Sequence, residues 1–170
     1  KKLLSIWENI QSMPKENNKS SPDWQNIGPF GSATDRNSKF TGRVLDINVN
    51  TSGRVMVGAA SGGLWEVTNI QATQLNSMLN TSVVGSFDVE PGNNNTILLG
   101  TGEEYVRGGT GLYRTTNGGL NWESISMSAS SPQHFHLIRY SPLISTMVHA
   151  GTSMGYFRSN DGGLNWSHIL

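Results

Sequence analysis

Several features of other protein classes are missing from this sequence of 170 residues, and each absence excludes something. There is no cysteine, which excludes disulfide scaffolds, cysteine-ligated zinc and thiol catalysis. Charged residues make up only 14% and their net charge is zero, so there is no positive field to gather the phosphates of a nucleic acid. The sequence also lacks any run of eighteen apolar residues, and we therefore expect no transmembrane helix.

What the sequence does contain is a repeat. The phrases GLWEVTN, GLYRTTN and GYFRSND begin at residues 63, 111 and 155, which are 48 and then 44 positions apart. Two short apolar runs separated by a turn precede each phrase, and another short run follows the second and third phrases. The unit is therefore four short antiparallel strands in about 45 residues, a period typical of a β-propeller blade.

We accordingly predict an all-β fold, with about three four-stranded blades of a β-propeller that belong to a larger ring, for example a seven-bladed one. The predicted blades cover about residues 43–80, 84–126 and 136–170. Because propellers contain roughly four to eight blades, we expect the rest of the ring to come from a further C-terminal part of the protein or from self-association.

The residues ahead of the first blade are predicted to form two parts. WQNI at 24–27 matches the WESI and WSHI that follow the two later phrases, which predicts an orphan outer strand within a partial propeller covering 22–170. Residues 1–21 differ in kind, because apolar residues there recur at helical spacing before a polar stretch begins. We predict a short helix and a polar linker for this segment.

The most specific motif is a tight-turn phrase that occurs twice. Both copies, RSNDGGLNW and RTTNGGLNW, fit the pattern Ser/Thr-x-Asp/Asn-x-Gly-x-x-Trp, with Ser159, Asp161, Gly163 and Trp166 in one and Thr115, Asn117, Gly119 and Trp122 in the other. The first two side chains can accept hydrogen bonds from turn amides, glycine supplies a positive φ, and the indole anchors the turn. One carboxylate provides neither the acid pair of a glycosidase nor the several oxygen ligands of calcium. We therefore interpret the motif as structural and predict no metal site.

This turn phrase resembles the Asp-box, also called the BNR repeat. Together with WQNIGP (24–29), GRVLDINV (42–49), VGAASGGLWEVTN (57–69) and LLGTGE (98–103), it is similar to the sortilin-type and xyloglucanase-type group of BNR-repeat propeller proteins. That group includes protein-sorting receptors, glycan hydrolases, photosystem assembly factors and secreted bacterial proteins. The resemblance therefore implies a fold and leaves several activities open.

The resemblance also implies where a ligand would bind, because in propellers the second-to-third-strand loops and the loops entering each blade form the ligand face. The richest of these loops, GTGEEYVRGGTG at 100–111, brings together Glu103, Glu104, Tyr105 and Arg107. The entering loops add Asp35, Arg36, His134 and His136. The two histidines alternate, so they point to opposite sides of an extended segment and are not expected to hold a metal.

Two functions remain open. Xyloglucanase-like enzymes carry an aspartate where this sequence has no carboxylate, at 59–61, and FTGR at 40–43 is not the arginine motif of sialidases. We therefore favour a non-catalytic, secreted or cell-surface module that binds a protein or glycan on its loop face without a cofactor. The alternative is a xyloglucanase- or sialidase-like glycoside hydrolase whose acids lie partly outside this sequence, with Glu103 and Glu104 as the catalytic candidates within it.

Overall fold

The computed structural model describes residues 32–33, 39–40, 43–50, 52–68, 71–127 and 131–170. The helix and linker predicted for 1–21 and the orphan strand predicted for 24–27 lie outside the described residues. Within the described residues all regular structure is β, in fourteen strands. That part of the chain contains no helix long and apolar enough to cross a membrane.

Three four-stranded antiparallel sheets make up most of the structure, and each takes its strands in chain order. Blade 1 consists of β3 Val44–Val49, β4 Val55–Ala59, β5 Gly63–Val67 and β6 Ala72–Gln74. Blade 2 consists of β7 Val84–Val89, β8 Ile97–Thr101, β9 Leu112–Thr115 and β10 Glu123–Ile125. Blade 3 consists of β11 Phe135–Tyr140, β12 Val148–Thr152, β13 Gly155–Ser159 and β14 Ser167–His168. The remaining strands, β1 Ser32–Ala33 and β2 Lys39–Phe40, pair with each other. The all-β prediction and the four-stranded unit are confirmed.

The blades pack face to face, and the first strands of successive blades lie beside one another. We call the face of a blade toward the preceding blade its leading face, and the opposite face its trailing face. The cluster between blades 1 and 2 contains Met56, Leu64, Leu75, Val84, Phe87, Val89, Ile97 and Leu99. The cluster between blades 2 and 3 contains Leu98, Leu112, Ile125, Met127, Phe135, Ile138, Tyr140, Val148, Ala150 and Phe157. Each fully buried Phe, Leu or Ile contributes about 1.5–3 kcal/mol relative to exposure.

A glycine in the second strand allows the next blade to approach closely. A β-carbon on Gly58 of β4 would lie 2.7 Å from Val84 Cγ1, and one on Gly100 of β8 would lie 2.5 Å from Phe135 Cβ. Both distances are shorter than a van der Waals contact between carbon atoms. Gly58 and Gly100 are thus equivalent positions at which a first-strand side chain of the following blade docks.

Side chains on the first strands also join the blades by hydrogen bonds. The Asp46 carboxylate in β3 accepts bonds from Ser86 Oγ at 2.6 Å and from the Phe87 amide at 3.1 Å, both in β7. The Asp88 carboxylate in β7 accepts a bond from the Tyr140 amide in β11 at 2.7 Å. Because β7 and β11 are edge strands of their sheets, these carboxylates satisfy amides that the sheets leave unpaired.

Arg139 in β11 closes this network back onto blade 1. Its guanidinium donates bonds of 2.8 and 3.0 Å to the Asp46 carboxylate and another to the Phe87 carbonyl. Burial raises the pKa of Asp46, but hydrogen bonds from Arg139, Ser86 and the Phe87 amide outweigh burial and hold that pKa below its usual value. At Asp88 burial outweighs the hydrogen bonds to the carboxylate, and the pKa is raised. The Asp46 carboxylate therefore connects all three blades.

Candidate functional site

The loop between β8 and β9 ends in a closed turn. The Glu103 amide donates to the Arg107 carbonyl at 2.8 Å, and the Arg107 amide donates back to the Glu103 carbonyl at 3.0 Å. Tyr105 lies at the apex with a φ of 64°, a left-handed conformation that costs a non-glycine residue roughly 1–2 kcal/mol. Tyr105 is also 96% exposed, so no burial of its ring offsets this cost.

The base of the same loop is held firmly. Thr101 Oγ1 donates to the Gly111 carbonyl at 2.8 Å and accepts bonds from the Thr110 amide at 2.8 Å and the Gly111 amide at 3.0 Å. The Gly109 amide donates to the Gln133 carbonyl at 2.7 Å, which ties the loop to the segment entering blade 3. Tyr105 therefore projects from a loop whose base is fixed by hydrogen bonds.

Two contacts between acidic and basic side chains connect this loop to the neighbouring blades. The Glu103 side chain is 13% exposed and pairs with Arg43, which directly precedes the first strand of blade 1. The Glu104 side chain pairs with His136 in the first strand of blade 3, with 3.3 Å between Oε2 and Nε2. Acidic and basic side chains from all three blades therefore meet at one rim.

A cavity of about 240 Å³ opens at this rim, lined by Leu45, Gly85, Gly102, Glu103, Glu104, Phe135 and His136. Its volume is below the roughly 300–1,000 Å³ of a small-molecule pocket, and it suits a single side chain or sugar ring. Glu103 Oε2 is buried and has no hydrogen-bond partner, although buried carboxylate oxygens normally have one. A hydroxyl or ammonium donor of a ligand would satisfy that oxygen.

The other predicted site residues are not part of this cavity. Asp35 and Arg36 lie outside the described residues. His134 precedes β11 and does not line the cavity, whereas His136 does. No group of three or more His, Asp and Glu side chains that could hold a metal occurs in the described ranges.

A second cavity, of about 290 Å³, lies in the segment after β6 and has no charged side chain in its lining, so it offers no acid, base or ion pair.

The two repeated turns lie at the opposite end of the third strands. In blade 3, Ser159 Oγ accepts a bond from the Gly163 amide at 2.9 Å and donates to Asp161 Oδ1 at 2.7 Å. Asp161 Oδ1 also accepts a bond from the Asn165 amide at 2.9 Å, which is the main reason why its pKa is lowered to about 2. The corresponding bonds in blade 2 are made by Thr115, Asn117, Gly119 and Asn121.

The two indoles that end these turns have different partners. Trp122 Nε1 donates to the Leu75 carbonyl of blade 1 at 3.0 Å, and its ring packs against the cluster between blades 1 and 2. Trp166 Nε1 donates to the Gly163 carbonyl within its own turn at 2.9 Å. Both rings are half-buried. Trp122 thus joins two blades directly, whereas the Trp166 hydrogen bond braces its own turn.

Sequence reasoning did not single out Asp46, Arg139 or Arg43. A signal for Asp46 was present, because a charge interrupts the otherwise apolar run of VLDINV in a predicted strand. Arg43 carries no comparable signal, since its partner Glu103 belongs to another blade.

No protein-family model matches the sequence, and neither does any curated protein. Among solved structures, the chain is similar to an ancestral GH74 enzyme, with a TM-score of 0.62 and 23% identity over 75% of this chain and 18% of that one. It is similar to the GH74 xyloglucanase from Xanthomonas campestris, with a TM-score of 0.61 and 18% identity over 85% of this chain and 22% of that one. A structure described as YCF48 bound to D1 peptide gives a TM-score of 0.52 and 19% identity over 74% of this chain and 40% of that one.

The chain therefore spans less than half the length of each of these proteins. The similarity, together with three successive four-stranded sheets, confirms the prediction of part of a β-propeller. At these identities the similarity shows the fold and no activity. The narrower resemblance to sortilin-type and BNR-repeat proteins stays a prediction.

Proposed function

We propose that this chain is a non-catalytic binding module, and that it captures a protein or glycan ligand on the face formed by the loop between β8 and β9. The observation that carries the proposal is Tyr105, an aromatic residue held in a left-handed conformation while 96% exposed. Backbone strain without any gain in packing is characteristic of functional positions. An exposed tyrosine ring is well suited to stack on a sugar ring or an apolar side chain.

The side chains around Tyr105 also support a ligand-binding site at this loop. Glu103 and Glu104 add carboxyl groups beside it, and a basic side chain from a neighbouring blade, Arg43 or His136, contacts each of them. Their cavity suits one inserted group carrying a hydroxyl or ammonium donor. YCF48, a propeller of similar fold, has a structure described as bound to a peptide, which is compatible with a protein ligand.

A screen against a random peptide library and a glycan array identifies a ligand, and variants then locate its site. We expect Tyr105→Ala to weaken binding of the selected ligand about tenfold or more, which corresponds to about 1.4 kcal/mol. The matched control is Leu120→Ala, because Leu120 is 73% exposed in the turn at the opposite end of blade 2. Equal affinity of Tyr105→Ala, Leu120→Ala and the unmodified protein for the ligand would contradict the proposal that this loop binds it.

A glycoside hydrolase is the second candidate, because two GH74 proteins share the fold and two adjacent glutamates line the cavity. Glu103 is already paired with the Arg43 guanidinium, whereas one acid of a glycosidase pair has to carry a proton. Turnover of xyloglucan and of an aryl glycoside tests this candidate. Activity that disappears in Glu103→Gln or Glu104→Gln and survives in Leu120→Ala would favour the hydrolase over the binding module.

An extracellular or cell-surface location is part of the proposal and follows from the family resemblance. Fractionation of the source cells tests it directly. We expect the protein in the culture medium or on intact cells accessible to added protease, and recovery confined to the cytosol would contradict this location.

A further inference from the structure

The cavity at the rim is formed where three β-bulges meet, one from each blade. The first strand of every blade carries one residue that has no partner in the second strand. These extra residues are Leu45, Gly85 and His136, and all three line the cavity. A bulge bends its strand and redirects a side chain, and bulges are frequent next to functional sites. The repeated fold of the blades thus brings three different residues together at one place.

Glycine at the bulge of blade 2 keeps the middle of the cavity open. A β-carbon on Gly85 would lie 2.5 Å from the Gly102 carbonyl oxygen and closer still to the Phe135 carbonyl oxygen. Both distances are shorter than a van der Waals contact, so a larger residue would have to displace backbone. Gly102 and Phe135 also line the cavity. Two backbone acceptors therefore approach the bulge of blade 2.

Glu103 brings a carboxylate oxygen without a partner to the same cavity. Its Oε1 contacts the Arg43 guanidinium, whereas its Oε2 is buried and has no hydrogen-bond partner. A buried charged acceptor without a donor is costly. The terminal torsion of a glutamate is soft, so a small rotation of the carboxylate would turn Oε2 toward a donor in the cavity. The site therefore offers one strong acceptor to one inserted donor.

The charges at the cavity favour a cationic donor over a hydroxyl group. Glu103 and Glu104 in the lining are acidic, and the basic residue in the lining, His136, is charged only when protonated. Arg43 and Arg107 do not line the cavity. Hydrogen bonds between ionised groups are roughly twice as strong as neutral ones. A sugar hydroxyl would satisfy the free oxygen but would leave the negative charge of the lining uncompensated.

The free oxygen suits the ammonium group of lysine better than the guanidinium group of arginine. An arginine pairs best with both oxygens of a carboxylate, but Arg43 already contacts Oε1 of Glu103. An ammonium group is a compact charge with three donors, which matches one carboxylate oxygen and two carbonyl oxygens. The methylene stem of a lysine can lie along apolar surface, and Leu45 supplies such surface because it is 37% exposed in the lining.

We propose that the cavity receives a lysine side chain of a protein ligand, whose ammonium group donates to Glu103 Oε2 and to the carbonyl oxygens of Gly102 and Phe135. This inference rests on the proposed function, since it specifies the group that the loop between β8 and β9 binds. It selects a protein over a glycan as the ligand. Tyr105 then contacts the ligand beside the inserted lysine.

A small lysine probe tests the cavity without a known ligand. Nα-acetyl-lysine methylamide is titrated into the protein, and the backbone amide chemical shifts of Gly85 and Gly102 report binding. We expect saturable shifts at these two glycines. The norleucine analogue, which keeps the stem and lacks the ammonium group, should bind at least about tenfold more weakly, and so should an analogue with a hydroxyl group in place of the ammonium. Equal affinity of the three compounds would overturn the proposal.

Three variants separate the role of Glu103 in binding from its contact with Arg43. Glu103→Gln should weaken binding of the lysine probe at least about tenfold. Glu123→Gln is the matched control, because it makes the same charge change in β10, away from the cavity lining, and should bind as the unmodified protein does. Arg43→Gln breaks the same contact but leaves the carboxylate, so the probe should bind equally well or more tightly. A loss in Arg43→Gln as large as that in Glu103→Gln would overturn the proposal.

Failure of this inference is distinguishable from failure of the proposed function. Tyr105 does not line the cavity, so Tyr105→Ala should still bind the lysine probe while it loses the selected ligand. A selected ligand that depends on Tyr105 but is a glycan, or whose affinity survives acetylation of its lysines, would overturn the inference and leave the binding module standing. Probe binding that depends on Glu103, together with a selected ligand indifferent to Tyr105→Ala, would support the lysine site and contradict the proposed role of Tyr105.

Discussion

Replacing Gly100 by alanine is the most direct perturbation of the contact between two blades. The added β-carbon would lie 2.5 Å from Phe135 Cβ and 2.6 Å from Phe135 Cδ1. Phe135 is 1% exposed and belongs to the first strand of blade 3, so it cannot move without separating that strand from blade 2. Overpacking of this kind costs about 1–3 kcal/mol. We expect the upper end, about 3 kcal/mol, because the clash is with the root of the side chain and not with its flexible tip.

Urea denaturation followed by tryptophan fluorescence measures this loss. Gly108→Ala is the control, because its β-carbon would meet nothing nearer than Gln133 Oε1 at 3.8 Å and should be neutral within about 0.5 kcal/mol. Combining Gly100→Ala with Phe135→Gly removes every side-chain atom of the clash, including Cβ, so the double variant should lose less than the sum of the single variants by about 1 kcal/mol or more. Equal midpoints for Gly100→Ala and Gly108→Ala would refute the close docking of blades 2 and 3.

Three further predictions concern other contacts of the blades. Trp122→Ala removes a half-buried indole and its bond to the Leu75 carbonyl, and should cost about 3 kcal/mol in thermal unfolding; a loss below about 1 kcal/mol would contradict the inter-blade contact. Asp46→Ala leaves Arg139 without its carboxylate and should cost about 3 kcal/mol in urea, whereas Asp46→Asn, which keeps one acceptor, should cost less. The pKa of Asp161 is lowered from 3.8 to about 2, so its ionised form stabilises the fold above about pH 4 and this contribution is lost as the pH falls toward 2. Asp161→Asn should therefore flatten the loss of stability between pH 4 and 2, and an unchanged acid transition would contradict the turn geometry.

Much of the fold could be predicted because its information is local. The repeated turns depend on hydrogen bonds between residues no more than four positions apart, such as the bond from the Gly163 amide to Ser159 Oγ. The spacing of these turns then identifies the blade period. Identical GGLNW phrases nevertheless give different indole partners, because Trp122 reaches a carbonyl of the preceding blade and Trp166 one in its own turn.

The candidate site could be predicted only in part, because contacts between blades depend on register. The bond between Arg139 and Asp46 joins residues 93 positions apart, and bulges in β3 and β11 shift the residues that face each other. The sequence indicated that Glu103 and Glu104 share a loop. It could not indicate that Arg43 and His136 approach them from two other blades, nor that Tyr105 is left exposed in a strained conformation.

The measurement closest to the central claim compares affinity and stability in one variant, Tyr105→Gly. Glycine adopts the left-handed conformation without steric cost, so we expect the free energy of unfolding to stay the same or to rise by about 1 kcal/mol. Calorimetric titration with the ligand selected on the unmodified protein should show at least about tenfold weaker binding. Unchanged affinity together with increased stability would contradict the claim that the strain at Tyr105 serves ligand binding.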